Sequence, residues 1–339
     1  MNAKRWIALG IVFALLIVSA LAKVTSNQFA AKEKEEETAI IDSLFAGTNE
    51  LTETVIEDAG PNKIAVLSVD GTIQDTGETS SIFGSEGYNH SFFMDQLEQV
   101  RDDESIKGVL LYVNSPGGGV MESAQIRDKI LQIQKEERSI PFYVSMGSMA
   151  ASGGYYISAP ADKIFASKET LTGSLGVIMQ GYDYSELMKK LGISDNTIKS
   201  GAHKDIMSAT RPMTEEEKKI MQSMIDDSYN EFVKVVASGR DMSEEQVRKI
   251  ADGRIYDGRQ AKENGLIDAF GYQEDALEAL KKEKKLSNAS VIQYDEPTGF
   301  SSLFSATAKK ITGQNTDITQ LIKLTGTLKA PRMMYLYGE

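Results

Sequence analysis

Two glycine-rich turns carry the residues of this chain best suited to chemistry. In Met149-Ala-Ala-Ser152-Gly-Gly-Tyr155 a serine stands among small residues, at a point where a helix follows a strand. Small neighbours let a substrate carbonyl reach the hydroxyl, and the Gly153 N–H, one residue on, occupies a usual place for an oxyanion donor. Ser145 and Ser148 rival Ser152 on position alone, and an Ala/Gly run equally suits close helix packing. The second turn, Asn114-Ser-Pro-Gly-Gly-Gly119, joins a strand to a helix. Such a junction aims unpaired backbone N–H groups into solvent, where they can hold an anion or an oxyanion. Its spacing fits neither the dinucleotide fingerprint nor the phosphate-binding lysine loop, and a tight turn explains it as well.

A serine nucleophile needs a base. The 339 residues include no cysteine and only two histidines, His90 and His203. That excludes a thiolate nucleophile, a disulfide framework and Cys-ligated metal centres, and it strains a Ser-His-Asp solution. His203 sits in a polar stretch, where a histidine is more often a surface residue. A neutral lysine is the other option. With an ordinary pKa of ~10.4, only about 0.04% of a lysine is neutral at pH 7, and lowering it by ~3 units takes ~4 kcal/mol of desolvation or repulsion. Composition does not choose among the many lysines. No metal or cofactor is expected. The formal net charge of -12 argues against a nucleic-acid partner.

The elements that must position these residues follow a strand–helix alternation. Ile64–Val69, Val109–Val113, Phe142–Met146, Lys163–Ala166, Gly176–Met179 and Ser290–Tyr294 read as strands. Phe92–Arg101, Val120–Glu136, Met149–Ser158 and Tyr184–Leu191 read as helices, the second with Ile126, Ile130 and Ile133 in register. Thr214 before Glu215-Glu216-Glu217 is an N-cap for a helix running towards Ser238, and Ser243-Glu-Glu-Gln246 is a capping box. The alternation predicts an α/β fold with a largely parallel sheet.

The N-terminus has a membrane signature. Lys4 and Arg5 precede an uncharged apolar stretch from Trp6 to Ala22, closed by Lys23. As a helix it reaches about 25 Å, slightly short of a ~30 Å hydrocarbon core. Residues 1–27 are therefore read as a single-pass membrane anchor, with a cleaved secretory signal ending near Ala20-x-Ala22 as the alternative. Both place the body outside the cytoplasm. Residues 28–60, with Glu35-Glu36-Glu37, read as a solvated acidic linker or short exposed helix; 61–295 is the catalytic body, and 296–339 a C-terminal extension. Its last residues, Pro331-Arg-Met-Met-Tyr-Leu-Tyr-Gly-Glu339, are apolar for a chain end. They read either as a docked terminal strand or as a substrate-like tail able to enter the chain's own groove.

Several motifs together resemble the bacterial signal peptide peptidases of the SppA type, serine proteases of the Clp protease/crotonase superfamily. They are VNSPGGGV (113–120), SMAASGGYYIS (148–158), TLTGSLGVI (170–178), SGAHKDIMSATRPMTEEE (200–217) and ADGRIYDGRQAKENGLID (251–268). They come in the family's order across residues 63–295 and resemble the short, Bacillus-type form. The resemblance implies a Clp protease/crotonase-like fold with an N-terminal transmembrane anchor. It implies Ser152 as nucleophile, Lys204 as general base and Ser174 as the hydroxyl that orients the Lys204 amine. The N–H groups of Gly119 and Gly153 become the oxyanion hole, although the family's long forms often carry serine at the position of Gly119. Substrates are then signal peptides and other apolar peptides, beside a lipid bilayer, with a ring-like homo-oligomer whose neighbouring subunits can share a site. A crotonase-like acyl-CoA enzyme and a non-enzymatic membrane scaffold are the rival readings.

Overall fold

The computed structural model describes residues 51–75, 87–136, 138–295 and 332–337, all within one unit of the chain. The anchor and the acidic run at 35–37 lie outside the described residues. Among the described residues no helix is long and apolar enough to cross a membrane.

In chain order the strands are β1 Thr52–Glu57, β2 Lys63–Asp70, β3 Ile106–Ser115, β4 Gly117–Gly119, β5 Phe142–Ala151, β6 Lys163–Ala166, β7 Leu171–Gly173, β8 Ile255–Asp257, β9 Ala269–Phe270, β10 Ser290–Asp295 and β11 Met334–Leu336. The helices are α1 His90–Asp102, α2 Val120–Lys135, α3 Gly153–Ser158, α4 Ser185–Lys190, α5 Glu215–Gly239, α6 Glu244–Ile250, α7 Gly258–Glu263 and α8 Gln273–Glu283.

The main sheet runs β1-β10-β2-β3-β5-β6-β9, with β7 beside the C-terminal end of β5 and β8 beside β7. Its pairs are parallel except β1–β10 and β7–β8. A parallel sheet is covered on both faces, so its central strands are apolar without alternation. The VLLYV run of β3 obeys this rule. Val109, Leu111 and Val113 face a core built with Phe93 and Leu97 of α1, Ile126 and Ile130 of α2, and Phe232 and Val236 of α5. Leu110 faces the other side, with Tyr143, Ala276 and Leu280 of α8.

Local sequence explains where helices begin. Thr214 and Ser243 cap α5 and α6 through complete capping boxes with Glu217 and Gln246. Asp257 and Gln260 do the same for α7.

Four expectations are corrected, each by tertiary pairing. The helix read over Met149–Ser158 is strand up to Ala151, because Met149–Ala151 pair with Leu171–Gly173; only Gly153–Ser158 are helical. The strand read over Gly176–Met179 is absent, the real strand being β7, and Ile178 makes a single bridge to Met334. Thr52–Glu57, within the stretch read as linker or exposed helix, is an edge strand on β10. The three glycines 117–119 are not an open turn but a strand, paired antiparallel with β11.

Candidate active site

Ser152 lies where β5 gives way to α3, as the N-cap residue, at φ 54° and ψ −114°. Non-glycine residues at positive φ store roughly 1–3 kcal/mol of strain and persist only where neighbours hold them. Here the Ser152 N–H donates to the Gly173 carbonyl (2.8 Å), and its carbonyl accepts from the Tyr156 N–H (2.9 Å). The turn lifts the side chain out of the strand, as a nucleophile elbow does. Ser152 is buried, yet its Oγ has no hydrogen-bond partner among the described residues. Its rivals are otherwise engaged: Ser145 lies inside β5, and the Ser148 hydroxyl donates to Asn114 Oδ1 (2.9 Å).

The facing wall is the glycine strand. Gly117 has φ +102°, and a Cβ there would collide with the Tyr335 carbonyl, crowd the Gly153 nitrogen at 2.6 Å and meet Ser152 Cβ at 3.0 Å. Glycine is thus required both by conformation and by the approach of a second backbone. The Gly119 N–H is committed to the Ile73 carbonyl (2.8 Å). The N–H expected at an oxyanion is thus turned towards Ile73 in this structure. The neighbouring Gly118 faces the opposite edge, for a reason set by strand register. Tyr335 lies opposite Gly118, flanked two residues either way by bonds from Val120 N–H to Met333 O (3.4 Å) and from Tyr337 N–H to Pro116 O (2.8 Å). Hydrogen-bonded pairs recur every second residue in an antiparallel ladder, so the Gly118 N–H points at the Tyr335 carbonyl. That same oxygen lies 3.1 Å from where a Gly153 Cβ would stand. The Tyr335 carbonyl therefore occupies the gap between the Gly118 and Gly153 backbones, beside Ser152.

The tail holds this position from both edges and from its side chains. Met334 exchanges backbone hydrogen bonds with Ile178 (2.9 and 3.0 Å) on the edge away from the glycines. Tyr335 is 1% exposed, stacked on Tyr156 (4.8 Å) and tilted against Phe232 (4.7 Å), with its hydroxyl donating to the Ser228 carbonyl (3.3 Å). Burial raises the Tyr156 hydroxyl to about 12 and that of Tyr335 higher still, so both stay neutral at working pH. Of the two readings of the tail, a docked terminal strand is what the structure contains, and its dock is the groove beside Ser152.

Ser174 also belongs here. Ala151 and Gly173 are in register, so Ser152 and Ser174 follow the ends of neighbouring parallel strands. Ser174 is buried, at φ 50°, with its N–H on the Arg254 carbonyl (2.8 Å).

Among the described residues no hydrogen bond joins Lys204 to Ser152. Lys204 is exposed, in a turn whose neighbours are pinned to the start of α5. Arg211 holds Asp205 (2.6 and 2.9 Å) and Glu217 (2.6 and 2.8 Å) at once, and Lys199 adds a third bond to Asp205 (2.6 Å). The Arg211 guanidinium, and then the Lys199 ammonium, hold the Asp205 carboxyl far below the usual carboxylate range; Arg211, with the Thr214 N–H, lowers Glu217 to about 2. His203 lies 3.7 Å from Glu217 and 3.8 Å from Glu216, at the same helix end. Sequence reasoning missed Gly118, Arg211 and the Tyr156–Phe232 pocket. The RPMTEEE run was the available signal for the second, and the apolar tail for the third.

A strained serine at a strand–helix elbow, facing two glycine N–H groups on a Clp protease-like mixed α/β scaffold, defines a serine peptidase. The chain belongs to peptidase family S49, whose model matches residues 134–287, while the Clp protease model matches residues 83–171. It is 48% identical to an Enterococcus faecium protein named as a signal peptide peptidase SppA, over the whole of this chain and 99% of that protein. It is 43% identical to a protein of Methanocaldococcus jannaschii named as a protease, over 69% of this chain and 75% of that one. Haemophilus influenzae Protease 4 is 39% identical over 67% of this chain and 35% of its own length.

Proposed function

We propose that this peptidase is a membrane-anchored endopeptidase that cleaves signal peptides and other apolar peptides with a Ser152–Lys204 dyad. The observation that carries the reading is the Tyr335 carbonyl lying beside Ser152 between Gly118 and Gly153. A peptide bound as an added strand on Gly117–Gly119 presents its carbonyl to the hydroxyl in this way. Ser152 Oγ attacks the carbonyl carbon while neutral Lys204 Nζ accepts its proton. The oxyanion takes hydrogen bonds from Gly118 and Gly153, and the Lys204 ammonium passes the proton to the departing amine. Water, deprotonated by Lys204, then hydrolyses the acyl-enzyme and frees Ser152. Ser174 orients the lysine amine.

Lys204 comes from a neighbouring subunit in this reading. Two observations support it: Ser152 Oγ lacks a partner among the described residues, and the segment leading to Lys204 carries exposed apolar side chains, including Tyr182, Leu187, Leu191 and Ile198. A ring-like homo-oligomer would cover them and desolvate the lysine. The N-terminal anchor would hold the ring on the extracytoplasmic face of the cell membrane, beside substrates left in the bilayer. Mixing Ser152→Ala and Lys204→Ala chains tests the shared site. Each alone is inactive, and the mixture recovers hydrolysis of a fluorogenic apolar peptide. An inactive mixture sinks the shared arrangement, and wild-type rates from either variant alone sink the dyad.

A further inference from the structure

The tail also meets a charged group just past the glycine strand. Glu122, in the first turn of α2, has a side chain only 10% exposed, and among the described residues the cation paired with it is Arg332, Nη1 to Oε1, 3.2 Å. The same Oε1 accepts the Asp75 N–H (3.1 Å), which fixes the carboxylate against the body. A carboxylate so far removed from water is costly without a positive partner. Arg332 is three residues before Tyr335, and strand register delivers it there: Met333 lies at Val120, and Tyr335 at Gly118. Any peptide bound in that register brings its own residue at this position to Glu122.

We propose that Glu122 is a recognition subsite for a basic side chain three residues before the residue whose carbonyl is attacked. This rests on the reading of Ser152 and its groove given above. It narrows the substrate class to apolar peptides in which Lys or Arg stands just ahead of the apolar run, the pattern Arg332-Met-Met-Tyr335 itself displays. The subsite discriminates more strongly against an acid than against a neutral residue, because an acid leaves two carboxylates facing each other.

The test uses the full chain and three fluorogenic peptides, acyl-Xaa-Met-Met-Tyr with a coumarin leaving amide, where Xaa is Arg, norleucine or Glu. Wild type favours Arg over norleucine about tenfold in kcat/KM, and Arg over Glu by more than about a hundredfold. Glu122→Gln, which keeps an acceptor for the Asp75 N–H, brings the Arg/norleucine ratio below about twofold at an unchanged melting temperature. The chain's own tail competes equally with every peptide, so ratios are the readout. Binding of the same peptides to Ser152→Ala, followed by fluorescence anisotropy, shows the same order without turnover. Equal rates on the Arg and Glu peptides, or a wild-type Arg preference in Glu122→Gln, overturn the subsite and leave Ser152 standing. Hydrolysis by Ser152→Ala overturns the nucleophile instead, while the anisotropy order still decides Glu122.

Discussion

Replacing Tyr335 by alanine should activate the enzyme. The ring is 1% exposed between Tyr156 and Phe232, so the variant loses a buried aromatic contact and leaves the pocket itself intact. Truncating a buried aromatic costs ~3–5 kcal/mol in a rigid core. The lower end applies to a tail that can leave and let water or substrate in. Roughly 3 kcal/mol lowers the ratio of docked to free tail about 150-fold. If the wild-type tail is docked ten times as often as it is free, freeing the groove raises kcat/KM toward a short peptide by about tenfold, nearly all of it in KM. The assay is steady-state hydrolysis of a fluorogenic peptide, with Ser152→Ala as the blank. A kcat/KM within twofold of wild type would refute the reasoning, because the tail would then not compete for the groove. So would a fall in kcat/KM at an unchanged melting temperature, which would make Tyr335 part of the productive site.

Gly118→Ala should lose about 10²–10³ in kcat, the usual worth of one oxyanion donor, since a Cβ there collides with the Ile73 carbonyl and shifts the strand that carries the N–H; a wild-type kcat would return the donor role to another group. Thr214→Ala removes the cap of α5 and should cost about 1 kcal/mol by denaturant titration, with Thr214→Ser nearly neutral. The Arg211 clamp predicts acid sensitivity. Asp205 and Glu217 are both depressed in the folded state, so their contribution is fully present above the unfolded carboxylate range and is lost as pH falls from about 4.5 towards 2. The melting-temperature gap between wild type and Arg211→Gln should therefore narrow across that window, and a gap that widens on acidification would contradict the assignment.

The fold was legible wherever local pattern and tertiary environment demand the same thing. The continuous apolar run Val109–Val113 could serve only a strand covered on both faces, and Thr214-x-x-Glu217 names its own helix start. Local pattern failed where a partner distant in sequence decides. Met149–Ala151 prefer a helix by composition but pair with Leu171–Gly173 of β7, Ala150 also with Ser115 of β3, so they extend the strand until Ser152. In the site, Ser152 and Gly153 were visible in the AASGG run, where helix packing was an equal explanation, while Ser174 came only through the family resemblance; the positive φ shared by the two serines is a feature of the fold.

By itself, then, the sequence determined the serine, the glycines beside it and the absence of thiol or plentiful imidazole, because residue types are local facts. The tertiary structure decided which N–H faces the docked tail. Gly118 and Gly119 are both glycines in one run, but Gly119 donates to Ile73, 46 positions earlier in the chain, while Gly118 faces Tyr335 on the opposite edge of the strand. It also decided what lies in the groove, since the pairing of residue 335 with residue 118 depends on strand register rather than on any property of either residue alone.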